Sequence, residues 1–242
     1  MTEAAGLSVD RFTDGREVMP LDNYLQLFSW AGEYFNEPHI GLVLAQQATP
    51  DDFGLFGFLT SSTETLGDMC QLFDRYQRIL MQGASMEFIR EGEQIEARYR
   101  ITSSIKDGVV QDVEFSLAAL IRIVQEALDT DWLPERTSFE HSKFGPEEDY
   151  RHFFGQNLSF DQTRNAIWFS VDLWDLPLPT ANSMLFSVLA DQANRLLKEI
   201  EDSADFLGQV RFLVSSRLGD EDFSIESLAQ ELNMSSRTLH RR

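Results

Sequence analysis

The sequence has little of what a disulfide-linked, metal-binding or membrane protein needs. Its 242 residues include one cysteine, Cys70, and four histidines, which permit no internal disulfide and show no zinc-ligand spacing. No apolar run approaches the roughly 20 residues that span a bilayer, and the N-terminus has no basic start followed by an apolar core. We therefore expect a cytoplasmic protein without a membrane segment, a signal peptide, a metal or another cofactor.

Catalytic motifs are missing as well. Residues 54–57 lack the further glycine and the Lys-Ser/Thr pair of a phosphate-binding loop, and no Gly-x-Ser-x-Gly elbow occurs. Cys70 falls on the apolar side of a predicted helix, which favours an inert core thiol over a nucleophile. His141 and His152 lie on different predicted elements, where a structural histidine is favoured over a base or a ligand. The sequence therefore predicts a protein that is not an enzyme.

Basic residues are scarce. Twenty Lys and Arg stand against 40 Asp and Glu, so the net charge is −20, and an acidic surface of this kind repels DNA. The C-terminal end is different, because residues 224–242 carry three Arg against two Glu. Any contact with DNA is therefore expected within this last segment, and the acidity of the rest argues against a peripheral membrane protein.

Apolar residues are abundant and follow recognisable periods. They make up 43% of the sequence and include nineteen Phe, which is enough for a sizeable core. Helical or alternating spacing predicts helices over 21–35, 62–81, 113–128, 181–201 and 204–218, and strands over 85–90, 94–102, 137–141, 158–160 and 166–171. We interpret the apolar run 53–60 as a further buried strand. The predicted fold is α+β, with a helix-rich N-terminal domain, a small antiparallel sheet and an all-α helix-turn-helix segment.

The C-terminal segment has the pattern of two short helices joined by a tight turn. Ser224 stands at an N-cap position, and apolar residues follow it at helical spacing. Asn233 lies where a turn favours a left-handed backbone, and Ser235 offers the N-cap of a second helix with a basic outer face. This is the pattern of a helix-turn-helix. Spacing alone leaves a helical hairpin with a solvated basic end as the alternative.

The sequence of this segment, SIESLAQELNMSSRTLHRR, closely resembles the first helix-turn-helix of AraC/XylS-type transcription regulators. In that family the second helix enters the major groove of DNA. The resemblance implies DNA contacts by Ser235, Arg237, Thr238, His240 and Arg241, of which an arginine can pair with guanine. The DNA-binding region of the family has two such units. We therefore expect this chain to be cut short within the first unit and to bind DNA weakly or not at all.

The body of the chain resembles the N-terminal, arabinose-binding-like domain found in AraC-type regulators of the ornithine-utilisation type. The motifs that match include Asp52-Phe53-Gly54, Thr65-Leu66-Gly67 and Leu176-Pro177-Leu178-Pro179. The resemblance covers roughly residues 20–242. The polar stretch 201–203 has the composition of a linker and places the domain boundary near residue 203. With that boundary, the resemblance implies a sensing and dimerisation domain over 1–203 and a DNA-binding segment over 204–242. The best-known sensor of the family is a cupin barrel, whereas this body has a helix-rich pattern.

A sensor pocket is typically apolar with one or two polar anchors. Arg75, Tyr76 and His141 are our candidates for those anchors in the aromatic-rich body. We interpret the amphipathic helix 181–201 as a homodimer interface formed by Leu185, Leu189 and Leu196, with a core helix packed on its own sheet as the alternative.

The preferred hypothesis is a bacterial-type, dimeric transcription regulator that binds DNA and an unknown small-molecule effector. One alternative is an enzyme whose terminal helices only package it. The other is a non-enzymatic interaction or dimerisation module without a small-molecule ligand. Turnover by the isolated body that is lost on mutating His141 would support the enzyme. Strong salt-dependent binding of a basic protein, without a small-molecule response, would support the interaction module.

Overall fold

The computed structural model describes residues 19–103, 105–217, 224–232 and 234–241. The chain forms two compact units, Met1–Ala193 and Asn194–Arg242. The helices described are α1 Leu21–Phe35, α2 Ile40–Ala45, α3 Gly54–Ser61, α4 Leu66–Leu80, α5 Val109–Leu128, α6 Glu147–Phe154, α7 Ser183–Arg217, α8 Ile225–Glu231 and α9 Ser236–Arg241. The strands are β1 Ala84–Glu91, β2 Gln94–Ile101, β3 Arg136–Ser138, β4 Leu158–Ser159 and β5 Asn165–Ser170.

The strands form a five-stranded sheet in the order β1-β2-β5-β3-β4. β1 and β2 make the predicted hairpin, in which Glu91 pairs with Gln94 and Gly92 adopts the positive φ of the turn. The β2–β5 and β3–β5 pairs are antiparallel, whereas β3 and β4 run parallel. A parallel pair needs a crossover, and α6 provides it here. The predicted α+β fold is therefore confirmed, with a sheet that is mixed at one edge.

The long helix α5 is the centre of the first unit. Its apolar residues are buried on several sides, because α5 contacts α1, α2, α6 and the strands β2 and β5. Strand register places Met86, Tyr99 and Asn165 in one row across the sheet, and Phe88, Ala97 and Ile167 in the next row on the same face. Two acidic residues of α5, Asp112 and Glu114, are fully buried. The helix therefore carries carboxylates into the interior.

The apolar run 53–60 is a helix, α3, and its interpretation as a strand was wrong. An apolar run this short and uniform cannot be assigned by periodicity. Two features favour the helix. The hydroxyl of Thr60 donates to the carbonyls of Phe56 and Gly57, and Gly57 packs so tightly on the backbone of Pro50 that no side chain fits between them.

Helix α4 begins at Leu66, whereas the sequence pattern predicts Ser62 or Thr63 as the cap of this helix. Thr65 is its N-cap, and the Thr65 hydroxyl accepts a hydrogen bond from the backbone N–H of Asp68 at 3.1 Å. The Asp68 carboxylate accepts one from the backbone N–H of Thr65 at 3.2 Å in return. This reciprocal capping box satisfies two groups at once and fixes the start of the helix.

Residues 201–203 continue a helix, so their interpretation as a linker was wrong. A single helix, α7, runs from Ser183 to Arg217 through this polar stretch. No proline interrupts the sequence between these ends, and acidic residues are compatible with a helical backbone. The division between the two compact units falls within α7, between Ala193 and Asn194. The assignment of sensing to 1–203 and DNA binding to 204–242 stays a prediction.

Candidate effector-binding cavity and DNA-binding helices

The first unit contains a partly open cavity of about 510 Å³ beside α5. Helices α1, α3, α4 and α5, the turn around Phe53 and strands β1 and β2 form its wall. The lining residues are Met19, Leu21, Tyr24, Asp52, Phe53, Phe56, Phe73, Gln77, Ile79, Leu80, Met81, Gln82, Ala84, Ser85, Met86, Tyr99, Phe115, Ser116, Ala119, Leu120 and Ile123. The volume falls within the range of about 300–1,000 Å³ that small-molecule sites have.

Aromatic and aliphatic side chains make up most of the cavity wall. Phe56 and Phe73 meet edge to face, with ring centroids 4.8 Å apart. Among the described residues of the wall there is no Lys, Arg or His. The carboxylate in the wall is that of Asp52, which lies on an exposed residue and accepts a hydrogen bond from the Thr49 backbone at 2.8 Å. The cavity therefore suits an apolar ligand.

A buried carboxyl, that of Asp112, supports two tyrosines of the cavity wall. The Tyr99 hydroxyl donates to Asp112 Oδ2 at 2.8 Å, and the Tyr24 hydroxyl interacts with the same carboxyl. Burial raises the pKa of Asp112 to about 6, although both tyrosine hydroxyls act in the opposite direction. Burial also raises the pKa of Tyr24 and of Tyr99, so both hydroxyls keep their protons. Tyr24 and Tyr99 therefore present polar hydroxyls to the cavity.

A second buried polar cluster surrounds Glu114, on the same helix as Asp112. The Tyr150 hydroxyl donates to Glu114 Oε1 at 2.7 Å. His39 Nδ1 lies 3.5 Å from Glu114 Oε2, and His141 Nε2 lies 3.7 Å from Glu114 Oε1. The nearby Glu114 carboxylate raises the pKa of His39. Because the cluster joins the start of α2, the middle of α5, the loop after β3 and α6, we interpret it as structural.

The three predicted ligand anchors lie apart from the cavity wall. Arg75 and Tyr76 are on α4, where the Arg75 guanidinium carbon lies 5.0 Å from the centroid of the largely buried Tyr76 ring. His141 belongs to the Glu114 cluster. Their contact with an effector stays a prediction. The polar residues that the structure brings together at the cavity are Tyr24, Tyr99 and Asp112, which the sequence reading did not select.

One signal could have pointed to the buried carboxyls. Asp112 lies seven residues before Ala119 and eight before Leu120, two helical turns away, so it falls on the apolar face of α5. The predicted helix begins at Val113 and does not include Asp112. An acidic residue on an apolar helical face needs a buried partner, and Tyr99 on the inward face of β2 was the available donor.

Metal binding and thiol chemistry find no support in the part of the chain that the structure describes. No group of three or more His, Cys, Asp or Glu there has the arrangement of a metal site. Cys70 is buried in α4, and burial raises the pKa of its thiol. A thiol that keeps its proton is a poor nucleophile, so the interpretation of Cys70 as an inert core residue fits its surroundings.

Helices α8 and α9 have the predicted caps of a helix-turn-helix. The Ser224 hydroxyl accepts from the backbone N–H of Ser227 at 3.2 Å, and the Ser235 hydroxyl accepts from that of Thr238 at 3.2 Å. Between the helices the backbone N–H of Met234 donates to the carbonyl of Ala229. Asn233 lies outside the described residues, so its predicted left-handed turn is untested.

The basic side chains of α9 point away from α8. Arg237, His240 and Arg241 are exposed, as is Ser235, whereas Thr238 is half-buried. Leu228 and Ala229 of α8 are buried. This distribution leaves one basic face of α9 open to a partner, which is what a recognition helix requires.

Helix α7 has an exposed apolar face that begins within its first turn. Met184 is 81% exposed, Val188 is 65% exposed and Leu185 is 42% exposed. Leu189 and Leu196, the other two predicted interface residues, are half-buried. Such an exposed apolar strip is typical of a surface that a second molecule covers.

Comparison with known families decides the class of this chain. The family described as the arabinose-binding domain of AraC transcription regulators, N-terminal, matches residues 1–178. The chain belongs to this family. The AraC-type assignment confirms the resemblance seen in the sequence.

The AraC-type chain also has a similar solved structure. The crystal structure of the transcriptional regulator CdpR from Pseudomonas aeruginosa matches it with a TM-score of 0.58 and 16% sequence identity, over 99% of this chain and 75% of that chain. At this identity the similarity shows a shared fold. No curated protein matches the chain at a significant level. None of the helices described is long and apolar enough to cross a membrane.

Proposed function

We propose that this AraC-type chain is a transcription regulator that binds a small-molecule effector in the cavity beside α5. The observation that carries the proposal is a partly open, mostly apolar cavity of about 510 Å³ within a domain of the AraC family. Effector binding acts by favouring one arrangement of the DNA-binding helices, so the effector must bind that arrangement more tightly than the other. No catalytic step is assigned to the chain, and turnover of a ligand would contradict the proposal.

Filling the cavity is expected to abolish the response to the effector. Ala119 is buried in the cavity wall, so in Ala119→Phe a phenyl ring occupies the space of the ligand. Thermal unfolding is measured against a library of amino acids, amines, aromatic compounds and fatty acids. A ligand at about 100 times its Kd adds about 2.7 kcal/mol to the stability of the wild-type chain, and none to that of Ala119→Phe.

The control for this variant is Ala181→Phe, which adds the same ring at an exposed position outside the cavity wall. It keeps the ligand response of the wild-type chain. Because the readout is the ligand-induced shift, a change in the stability of either variant does not obscure it. If no compound stabilises the wild-type chain, or if Ala119→Phe responds like it, the cavity is not an effector site. The alternative function, an interaction or dimerisation module without a ligand, then becomes the better one.

We further propose that α8 and α9 form the first DNA-binding unit, with α9 in the major groove. The exposed basic face of α9 and the caps of both helices support this role. Contacts to DNA then come from Ser235, Arg237, Thr238, His240 and Arg241, of which Arg237, His240 and Arg241 are exposed. A strongly acidic body, at −20 overall, confines these contacts to the basic segment.

Arg237→Ala is expected to weaken binding to a specific DNA site by about 1–3 kcal/mol, as for an arginine that reads a guanine. The measurement is fluorescence anisotropy at fixed salt, on a chain in which a second helix-turn-helix unit follows residue 242. The matched control is Arg90→Ala, which removes one positive charge from an exposed position on β1. Equal losses in the two variants would mean that only overall charge matters and that α9 does not enter the groove.

The exposed apolar start of α7 supports a homodimer in which two copies pair through this face. Leu185 belongs to the exposed strip, and Leu189 and Leu196 continue the same helix. Regulators with a helix-turn-helix often pair to read repeated half-sites. Sedimentation equilibrium at micromolar concentration tests this, and a purely monomeric chain would contradict it.

A further inference from the structure

We propose that the cavity selects its effector by charge: it accepts an apolar amine, accepts the matching alcohol less well, and rejects the matching carboxylate. This inference rests on the proposed function, since it requires that the cavity holds a ligand. Three features of the wall carry it: the charges it lacks, the acceptors it presents and the apolar surface that remains.

The first feature is the absence of a counter-charge for an anion. No Lys, Arg or His occurs among the wall residues that the structure describes. Asp52 lies in the wall, and the carboxyl of Asp112 lies behind Tyr99, whose hydroxyl donates to it. A carboxylate brought into this space loses its water and gains no positive partner from the described wall. An ammonium group meets no like charge there and has the Asp52 carboxylate as a counter-charge in the wall.

The second feature is the direction of the hydrogen bonds at the polar end. A tyrosine hydroxyl has one proton to donate and can accept further hydrogen bonds. The Tyr99 proton is directed to Asp112 Oδ2 at 2.8 Å, and the Ser116 hydroxyl also interacts with the Tyr99 hydroxyl, which leaves a lone pair of the Tyr99 oxygen for a further donor. The Tyr24 hydroxyl, which also lines the cavity and interacts with the Asp112 carboxyl, is a second such acceptor. The group that satisfies such acceptors must be a donor, which an amine or an alcohol is and a carboxylate is not.

The third feature is the wall around the rest of the ligand. Phe56, Phe73, Phe115 and Leu120 line the cavity, so the body of the effector is apolar. A zwitterion such as an amino acid is rejected as well, because its carboxylate has no basic partner among the described wall residues. The cavity therefore favours a molecule with one donor group at one end and an apolar chain or ring behind it.

The test compares three compounds that differ only in the head group: 4-phenylbutylamine, 4-phenylbutan-1-ol and 4-phenylbutanoate. Isothermal titration to the whole 242-residue chain gives the dissociation constants. We expect the amine to bind at least about tenfold more tightly than the carboxylate, as one charge-assisted hydrogen bond implies, with the alcohol between them. A carboxylate that binds as tightly as the amine overturns the inference about charge but still supports the cavity as an effector site.

Two variants test the assigned groups. Asp112→Asn removes the buried charge. In this variant the dissociation constants of the amine and the alcohol are expected to differ by no more than about threefold. Tyr99→Phe removes an acceptor and weakens both donor ligands while leaving the weak carboxylate binding unchanged. The control Glu147→Gln makes the same acid-to-amide change outside the cavity wall and keeps the wild-type order. An unchanged preference for the amine in both Asp112→Asn and Tyr99→Phe contradicts the assignment.

The remaining outcomes are also decisive. It is possible to test the inference further if none of the three compounds binds but the wider library yields a ligand. An anionic ligand then overturns the inference, and an apolar ligand with a donor group supports it. If nothing binds to the wild-type chain at all, the proposed function fails and the charge selection fails with it. The comparison of head groups in the wild-type chain needs no variant, so it holds even if Asp112→Asn does not fold.

Discussion

Replacing Gly108 with alanine is expected to destabilise the first unit by about 2–5 kcal/mol, through strain and overpacking together. Gly108 precedes α5 and has a φ of +77°, and a Cβ added there would lie 1.9 Å from the carbonyl oxygen of Leu25. The alanine must therefore adopt a left-handed backbone and also push α1 away from α5. Urea unfolding followed by tryptophan fluorescence measures the loss.

The control is Gly92→Ala in the turn between β1 and β2. Gly92 also has a positive φ, of +62°, but nothing lies within 4 Å of an added Cβ. This variant is expected to cost only the backbone strain, about 1–2 kcal/mol. If the two variants lose the same stability, the close approach of α1 and α5 at Gly108 does not matter.

The same substitution bears on the cavity. Tyr24, next to Leu25 on α1, and Ser116 on α5 both line the ligand space. Displacing α1 from α5 separates the wall residues that the two helices contribute. We therefore expect Gly108→Ala to weaken effector binding at temperatures where the domain is still folded, whereas Gly92→Ala leaves binding unchanged.

Features that depend on neighbouring residues could be predicted from the sequence. Helix α1 was predicted with the bounds that the structure has, and the hairpin of β1 and β2 was placed correctly. The caps of α8 and α9, at Ser224 and Ser235, are equally local. Each of these signals lies within one element or one turn, where periodicity and capping chemistry act directly.

Features that depend on packing between distant elements could not be predicted. The run that forms α3 has no polar face to set a period, and Gly57 fits only because Pro50 packs against it. Tyr24, Tyr99 and Asp112 come from α1, β2 and α5 and meet only once the helices lie on the sheet. A sequence reading can note each of these residues singly, but the network that joins them is a property of the fold.

Removing the Glu114 carboxylate is expected to produce the other large loss of stability. Glu114 is fully buried and accepts a hydrogen bond from Tyr150, while His39 and His141 approach its two oxygens. In Glu114→Ala the Tyr150 hydroxyl loses its acceptor, and the two histidines lose the negative charge beside them. Breaking a buried charged network of this kind costs about 3–5 kcal/mol. Urea unfolding at neutral pH measures it.

The control for this loss is Glu147→Ala. Glu147 forms ion pairs with Lys143 and Arg151 on an exposed part of α6. Its removal is expected to change stability only slightly, since exposed pairs are screened by water. A loss for Glu147→Ala as large as that for Glu114→Ala would show that burial of the network is not the cause.

The pH dependence of stability separates the charge of Glu114 from its packing. Around His39, Glu114 has the largest effect and raises the pKa above its usual 6.5, Asp149 and Glu37 act in the same direction, and burial opposes them. The folded state therefore binds the His39 proton more tightly than the unfolded state. The stability that this adds is complete below pH 6.5 and is lost as the pH rises through the raised pKa.

Glu114→Gln keeps the volume of the side chain and removes its charge. The decline of stability that His39 causes above pH 6.5 should therefore be much reduced in this variant, because the main cause of the raised pKa is gone. Asp112 also lowers stability as the pH rises from its usual 3.8 through about 6, but it is present in both proteins and so does not affect the comparison. Equal declines for the wild-type chain and Glu114→Gln above pH 6 would mean that Glu114 does not hold the His39 proton. In that event the buried network stabilises the domain through neutral hydrogen bonds alone.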